Sequence, residues 1–260
     1  MHNLLILGSG RSGTSMTAGL FRESGAYMGE SFHPPRAANQ FGFFEDEEIN
    51  AINDQIVLRM LQRGWPRRAW RFAPAIHRHP NALWLAAPRR IRAVDAPPEL
   101  REAMRKHLAT PFCLKDPRFG FTLPTWRPEL PHTRFVVVFR DPDTTVDSML
   151  REARETSKPL PLTPGWAYQS WYRMYRRLLD DLSREGDWLF VRYEQIASGA
   201  ALPALGAFAQ TELCTTQIRP DVRRAQPRAD DSARAGRCRS LFERLLARAR
   251  RDLADWSRRA

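Results

Sequence analysis

The sequence predicts an α/β protein with a parallel sheet. Residues 4–7 form a short apolar run that ends at the glycine-containing residues 8–10, and apolar residues then recur at helical spacing. A second run, residues 135–139, is rich in valine, as central parallel strands are. Strand, glycine loop and helix in this order begin an α/β unit. We therefore expect one domain over residues 1–260, in three layers with helices on both faces of a central parallel sheet.

The other elements are predicted from the same two periodicities. A helix at residues 44–62 carries acidic residues in its first turn, where the helix dipole favours them. A stripe of aromatic and leucine residues between Tyr168 and Leu182 predicts a helix that faces the core. Further helices are expected at 99–108, after Arg140 and at 241–256, and further strands at 112–114 and 188–191.

Residues 64–98 and 219–240 do not fit these periodicities. Residues 64–98 hold three tryptophans, several prolines and many arginines, and we expect an irregular insertion there. Residues 219–260 carry 13 basic and 6 acidic residues, in a polar stretch at 219–240 and the C-terminal helix. The formal charge of the whole chain is +12, which is compatible with an anionic small molecule, a nucleic acid or a merely arginine-rich composition.

The composition disfavours several classes of protein. The apolar runs are far shorter than the about 20 residues of a transmembrane helix, and the N-terminus lacks the basic and apolar regions of a signal peptide. Cys113, Cys214 and Cys238 lie far apart with no CxxC pair, so neither a disulfide framework nor a zinc site is expected. We expect no integral membrane segment and a cytoplasmic location, and the oligomeric state is left open.

The loop at residues 8–15 gives the strongest chemical signal. Its sequence, Gly-Ser-Gly-Arg-Ser-Gly-Thr-Ser, follows a strand and opens a helix, where backbone N–H groups bind anions. The spacing matches the P-loop GxxxxGK[ST], but Thr14 stands in place of the lysine that neutralises the phosphates of ATP. A GxGxxG dinucleotide site is also disfavoured, because no acidic residue ends a second strand about 20 residues later.

This loop resembles the donor-binding loop of the sulfotransferases that use 3′-phosphoadenosine 5′-phosphosulfate (PAPS). The family's loop has the form (K/R)-S-G-T-(T/S) directly after the first strand, and Arg11, Ser12, Gly13, Thr14 and Ser15 match it. The resemblance implies a P-loop NTPase-like sulfotransferase fold. It also implies that the loop binds the 5′-phosphate and that the arginine contacts the bridging region of the phosphosulfate.

The resemblance extends to a strand end and the helix after it. Arg140 follows the strand at 135–139, and Ser148 lies eight residues further on, as in the family's second motif. The resemblance implies that this pair binds the 3′-phosphate, which distinguishes PAPS from ATP. An arginine suits such a dianion because its guanidinium can bind two oxygens at once.

Three further segments are similar to those of bacterial members of the family. Asn-Gln-Phe-Gly-Phe-Phe-Glu at 39–45 resembles N-x-x-G-(F/Y)-(F/W)-E, and Lys-Asp-Pro-Arg at 115–118 resembles K-D-P-R. Val-Arg-Tyr-Glu at 191–194 resembles a late strand whose tyrosine, here Tyr193, helps to hold the adenine.

Sulfuryl transfer requires charge stabilisation on the leaving group and a base for the acceptor's proton. The resemblance places Arg11 and Lys115 on the bridging and sulfuryl oxygens, and Glu45 as the base. Asp46 is the reserve for that base, and His33, in a loop, is a third candidate. This chemistry needs no metal, and we see no cluster of Cys, His, Asp or Glu that offers a site.

The acceptor is expected to be a small molecule or a glycan, contacted by Arg118 and His33. The bacterial-type segments favour a carbohydrate hydroxyl, with a phenolic natural product or a peptide tyrosine as alternatives. A P-loop kinase with Asp141 on Mg2+ is the first alternative function, opposed by the missing lysine and by Arg140 at the same strand end. Binding of nucleic acid by residues 219–260 is the second, opposed by the absence of a recognised motif.

Overall fold

The structure is a computed structural model of the 260-residue chain. It describes residues 1–32, 42–64, 85, 94–155, 162–216, 218, 230 and 232–259. His33, residues 39–41 and most of the predicted insertion at 64–98 therefore lie outside the described residues. Most of the polar stretch that precedes residue 232 lies outside them as well.

In the described part of the chain, one sheet of four parallel strands is formed. The strands are β1 (Asn3–Leu7), β2 (Cys113–Lys115), β3 (Thr133–Phe139) and β4 (Trp188–Arg192), in the order β2-β1-β3-β4. Ile6 of β1 is in register with Lys115 of β2 and with Val136 of β3. The prediction of a central strand at 135–139 is confirmed, since β3 pairs with β1 on one side and β4 on the other.

Helices fill the connections between the strands, and three more follow the last strand in the described part of the chain. Their bounds are α1 (Thr14–Gly19), α2 (Glu47–Gly64), α3 (Pro98–Lys106), α4 (Phe119–Trp126), α5 (Pro142–Glu155), α6 (Pro164–Arg176) continued by a π-helical turn (Arg177–Leu182), α7 (Tyr193–Ala197), α8 (Leu202–Ala209) and α9 (Ala233–Ser257). The predicted helices at 44–62, 99–108, 168–182 and 241–256 all have counterparts among these.

The two faces of the sheet pack against different helices. Along β1, Leu5 and Leu7 face one apolar core while Leu4 and Ile6 face the other, because successive strand side chains point to opposite faces. The first core is lined by α2 to α6 and most of α9, and the second by α1, α7, α8 and the end of α9. The predicted three-layer α/β/α architecture is therefore confirmed.

Two predicted boundaries are wrong. Helix α2 begins at Glu47 instead of residue 44, because the Oδ1 atom of Asp46 accepts the N–H groups of Glu48 and Ile49 at 2.9 and 3.0 Å and caps the helix. Helix α9 begins at Ala233 instead of 241, so residues 233–240 of the predicted polar stretch are helical.

The connections that leave β1 and β3 run in opposite directions across the sheet. The next strand after β1 lies on one side of it, and the next strand after β3 lies on the other. A switch of this kind opens a crevice beyond the carboxyl ends of the two strands, where α/β proteins bind their ligands. The glycine loop after β1 and Arg140 after β3 both lie at this switch.

Candidate functional site

The glycine loop is held close to its neighbours at two glycines. A Cβ atom at Gly8 would lie 2.3 Å from the carbonyl oxygen of Val138, and one at Gly13 would lie 2.2 Å from Cδ2 of Tyr193. Both residues also have positive φ, 148° and 97°. Glycine is therefore required at both positions for the loop to approach β3 and the tyrosine ring.

A tyrosine from helix α6 fixes the base of this loop. The buried Tyr175 hydroxyl accepts the N–H of Ser9 at 3.1 Å and donates to the carbonyl oxygen of Val138 at 2.8 Å. Burial raises the pKa of Tyr175, so the hydroxyl keeps the proton that it donates. The sequence pattern had placed Tyr175 in the core, and nothing in that pattern indicated its bond to the loop.

The side chain of Ser12 also supports the loop from within. Its hydroxyl donates to the carbonyl oxygen of Ser9 at 2.6 Å and lies 3.2 Å from that of Val138. Ser12 and the neighbouring Thr14 are both buried. In this structure the hydroxyl of Ser12 is therefore directed at the protein backbone.

Arg11 meets a residue that is distant in sequence. It has a positive φ of 70°, and its Nε donates to Oγ of Ser148 at 3.1 Å. The same nitrogen lies 3.5 Å from the Glu152 carboxylate. The structure thus brings together one residue from each of the two motifs that the sequence analysis connected with donor binding.

Arg140 lies over an aromatic ring at the end of β3. Its guanidinium carbon is 4.5 Å from the centroid of the Tyr193 ring, which is the distance of a cation–π contact. Its Nε is 3.4 Å from the carboxylate of Glu194, and that carboxylate also accepts from Arg192 at 2.6 Å. The adjacent Asp141 caps α5 by accepting the N–H of Thr144 at 2.8 Å.

Lys115, at the end of β2, meets Glu45. The Lys115 Nζ atom contacts Oε1 of Glu45 and lies 3.3 Å from the hydroxyl of Ser15. The Lys115 side chain is 1% exposed and that of Glu45 is 14% exposed, so the lysine is enclosed and the carboxylate reaches solvent. Asn50, one turn into α2, donates to the second oxygen of Glu45 at 3.4 Å.

Asp46 is engaged differently from the adjacent Glu45. Besides its two contacts at the start of α2, its Oδ2 accepts the N–H groups of Glu30 and Ser31 at 2.8 and 3.0 Å. Burial acts to raise the pKa of Asp46, but these backbone hydrogen bonds outweigh it and lower that pKa. Asp46 is therefore a structural cap, which contradicts its role as the reserve base.

Arg118 is enclosed, contrary to the prediction that it contacts the acceptor. Its side chain is 1% exposed, and its guanidinium pairs with Asp54 at 2.5 Å and with Asp116 at 3.1 Å. His33, the other residue predicted to contact the acceptor, lies outside the described residues. Among the side chains that the structure does describe, no group of three or more His, Cys, Asp or Glu is arranged to hold a metal ion.

The described part of the site is therefore a row of cations at the carboxyl edge of the sheet. Arg11, Arg140 and Lys115 each have a carboxylate beside them, namely Glu152, Glu194 and Glu45. Such a row, beside the glycine loop that leads into α1, suits an elongated ligand with several negative charges.

Comparison with known proteins defines the class. A family model described as the sulfotransferase family matches residues 3–201, so the chain belongs to the sulfotransferase family, whose members are transferases. A solved structure titled "Sulfotransferase Domain from the Curacin Biosynthetic Pathway" is 13% identical, covering 91% of this chain and 82% of that one with a TM-score of 0.46. No curated protein matches the chain. Within the described residues, no helix is long and apolar enough to cross a membrane.

Proposed function

We propose that this protein transfers the sulfuryl group of PAPS to an acceptor hydroxyl. The observation that carries the proposal is the hydrogen bond between Arg11 and Ser148 at the switch point of the sheet, with Arg140 at the end of the adjacent strand. In this proposal the amides of residues 12–15 and Arg11 bind the 5′-phosphosulfate. Arg140 and Ser148 bind the 3′-phosphate.

The adenine of the donor is assigned to Tyr193. The ring of this tyrosine packs against Gly13 on the loop and beneath the guanidinium of Arg140, so it lies between the two phosphate-binding groups. An aromatic face at this place offers a stacking surface to a base.

The proposed reaction forms a bond between an acceptor oxygen and sulfur, and breaks the bond from sulfur to the oxygen that bridges to the 5′-phosphate. The leaving group is 3′-phosphoadenosine 5′-phosphate (PAP), whose developing negative charge Arg11 and Lys115 stabilise. Glu45 takes the acceptor's proton. Because Lys115 contacts Glu45, charge stabilisation and proton removal act at the same end of the donor.

The acceptor is a carbohydrate hydroxyl in this proposal, with phenols and peptide tyrosines as the alternatives to be assayed. Two aromatic residues adjoin the base in the described part of the chain: Phe44 precedes Glu45, and the 44% exposed Phe32 pairs with Asp46 through an isolated backbone bridge. Their rings lie edge to face at 6.4 Å. Apolar side chains beside a base suit the ring face of a sugar and that of a phenol equally, so these residues do not distinguish the two classes of acceptor. The carbohydrate is therefore chosen on the bacterial-type segments at 39–45 and 115–118.

The proposal is tested by calorimetric titration with PAP in the absence of Mg2+. We expect the wild-type protein to bind PAP and Arg140→Ala to bind it at least tenfold more weakly, because a hydrogen-bonded ion contact contributes about 1.5–3 kcal/mol. Arg105→Ala is the matched control, since Arg105 is an exposed arginine of α3 that pairs with Glu102 on the same helix and with Glu129. Equal PAP affinity in the Arg140 and wild-type proteins overturns the assignment of the 3′-phosphate.

Transfer itself is measured with isotopically labelled PAPS and a panel of glycans, phenols and tyrosine peptides. Arg11→Ala should lower kcat about a hundredfold or more, the usual effect of removing one group that stabilises charge in the transition state. Full activity of that variant contradicts the mechanism. Binding of ATP only in the presence of Mg2+, without binding of PAP, supports the small-molecule kinase instead.

A further inference from the structure

A buried polar network joins helix α2 to the segment that follows β2. The guanidinium of Arg118 pairs with Asp54 on α2 at 2.5 Å and with Asp116 at 3.1 Å. The Asp116 carboxylate also accepts from Asn53 Nδ2 at 2.9 Å. Two adjacent residues of α2 are thus tied to two residues of the segment at 115–118.

The same network continues into α4 through the amide of Asn53. Its Oδ1 accepts from the hydroxyl of Thr122 at 2.7 Å and from Nε1 of Trp126 at 2.8 Å. Asn53, Asp116 and Arg118 are all buried. Burial of ion pairs is costly in solvation and is often neutral or unfavourable for stability compared with apolar packing. Stability alone is therefore a weak reason for this network.

The position of the network in the chain suggests a different role. Asp116 follows Lys115 directly, and Asn53 and Asp54 lie on the helix that begins two residues after Glu45. The two sides of the network are therefore covalently continuous with the two members of the Lys115–Glu45 pair. Moving α2 relative to the end of β2 would change the separation of that pair.

We propose that Asp54 and Arg118 are positioning residues that hold helix α2 against the end of β2 and so align Glu45 with Lys115. The inference rests on the proposed function, because it assigns a purpose to the alignment of those two groups. In this proposal Arg118 does not contact the acceptor as predicted, but acts indirectly by keeping Glu45 and Lys115 in position.

The charge state of Asp54 gives this alignment a pH dependence. Burial raises the pKa of Asp54 to about 6, with Asp116 and Glu45 adding to the increase and Arg118 opposing it. Below this pH the carboxyl gains a proton and its attraction to Arg118 weakens. Sulfuryl transfer should therefore decline as the pH falls through about 6.

The first test observes Lys115 without any donor. The chain has only three lysines, Lys106, Lys115 and Lys158, so selective labelling at the lysine Cε position gives one NMR signal for each residue, and Lys115→Arg identifies the signal of Lys115. We expect Asp54→Asn to shift the Lys115 signal toward its position in Glu45→Gln and to leave that of Lys106 in place. An unchanged Lys115 signal in Asp54→Asn overturns the proposal, whatever the protein binds.

The second test measures transfer and PAP binding on the same variants. Asp54→Asn should lower kcat about tenfold, leave the dissociation constant for PAP within about twofold and abolish the decline in rate near pH 6. Asp54→Glu should recover part of kcat because it restores a carboxylate. The test uses variants of Asp54 because its carboxylate is partly exposed, so that these variants are expected to fold.

A matched control separates positioning from general stability. Glu129 is a mostly buried carboxylate that pairs with Arg101 and Arg105 away from the site. Glu129→Gln should lower the melting temperature without changing kcat or its pH profile. If Asp54→Asn behaves like this control, the network is merely structural and the proposal is wrong. Failure of the wild-type protein to bind PAP contradicts the proposed function instead, and leaves the NMR result to decide the alignment.

Discussion

Glu194 lies between Arg140 and Arg192, and replacing it with glutamine should tighten the binding of PAP. The carboxylate is 3.4 Å from Nε of Arg140 and 2.6 Å from Nε of Arg192. If Arg140 binds the 3′-phosphate, the phosphate must compete with this carboxylate for the guanidinium. Glutamine keeps the size of the side chain and removes the competing charge.

The size of the effect follows from the geometry of the pair. At 3.4 Å two unit charges attract by about 1 kcal/mol in water and by about 5 kcal/mol at an effective dielectric constant of about 20. The Glu194 side chain is 39% exposed, so the lower value applies. A gain of about 1 kcal/mol corresponds to a dissociation constant about fivefold lower.

The assay is calorimetric titration of wild type and Glu194→Gln with PAP and with adenosine 5′-monophosphate. The gain should be found with PAP and be much smaller with the monophosphate, which has no 3′-phosphate. Glu185→Gln is the control, because Glu185 is a highly exposed carboxylate that pairs with Arg127 at 3.5 Å. The reasoning is refuted if Glu194→Gln binds PAP no more tightly than wild type, or if the monophosphate gains equally.

Two further predictions concern the glycine loop. Tyr175→Phe removes the hydroxyl that bonds Ser9 and Val138. We expect the free energy of unfolding, measured in urea, to fall by about 1–3 kcal/mol and PAP to bind more weakly. Unchanged stability contradicts this prediction. Gly13→Ala forces a Cβ atom into the ring of Tyr193, so PAP binding should fall while the circular dichroism spectrum stays near that of wild type. Retained affinity would show that PAP binding does not need the close approach of the loop to Tyr193.

The regular elements were predictable because their signals are local. The apolar run of β1, the glycine loop and the valine-rich run of β3 each carry their information within a few residues. The family resemblance assigned Arg11 and Ser148 to two separate donor-binding motifs and did not predict their contact. The structure gives its physical basis: parallel pairing of β1 with β3 places the carboxyl ends of these strands side by side.

The roles of individual charged residues were harder to predict. Glu45 and Asp46 are adjacent carboxylates, yet one meets Lys115 and the other receives four backbone N–H groups from two parts of the chain. Likewise, the burial of Arg118 depends on Asp54, which is remote in sequence. Such partners are fixed by the packing of α2 against the sheet, which no local pattern specifies.

The early start of α9 shows a different difficulty. Ser232 caps the helix by accepting the N–H of Ala235 at 3.3 Å, and the buried residues of its first turns are Ala235 and Cys238. These small residues at helical spacing lie among arginines, so the apolar periodicity became visible only from Leu241. The hydrophobic signal of a helix depends on side-chain size, whereas its packing depends on spacing.

The three cations of the site show why the net charge of +12 was a poor guide to function. Arg11, Lys115 and Arg140 close together would repel one another, and each has a carboxylate that relieves this repulsion. These carboxylates differ in exposure: Glu152 and Glu194 are 29% and 39% exposed, whereas Glu45 is 14% exposed and is also bonded to Asn50. Glu152 and Glu194, which are more exposed, have room to turn toward solvent when an anion binds, while the less exposed Glu45 stays beside Lys115. Under the proposed function, the same type of ion pair thus supports a displaceable counter-ion at the donor phosphates and a fixed base at the acceptor.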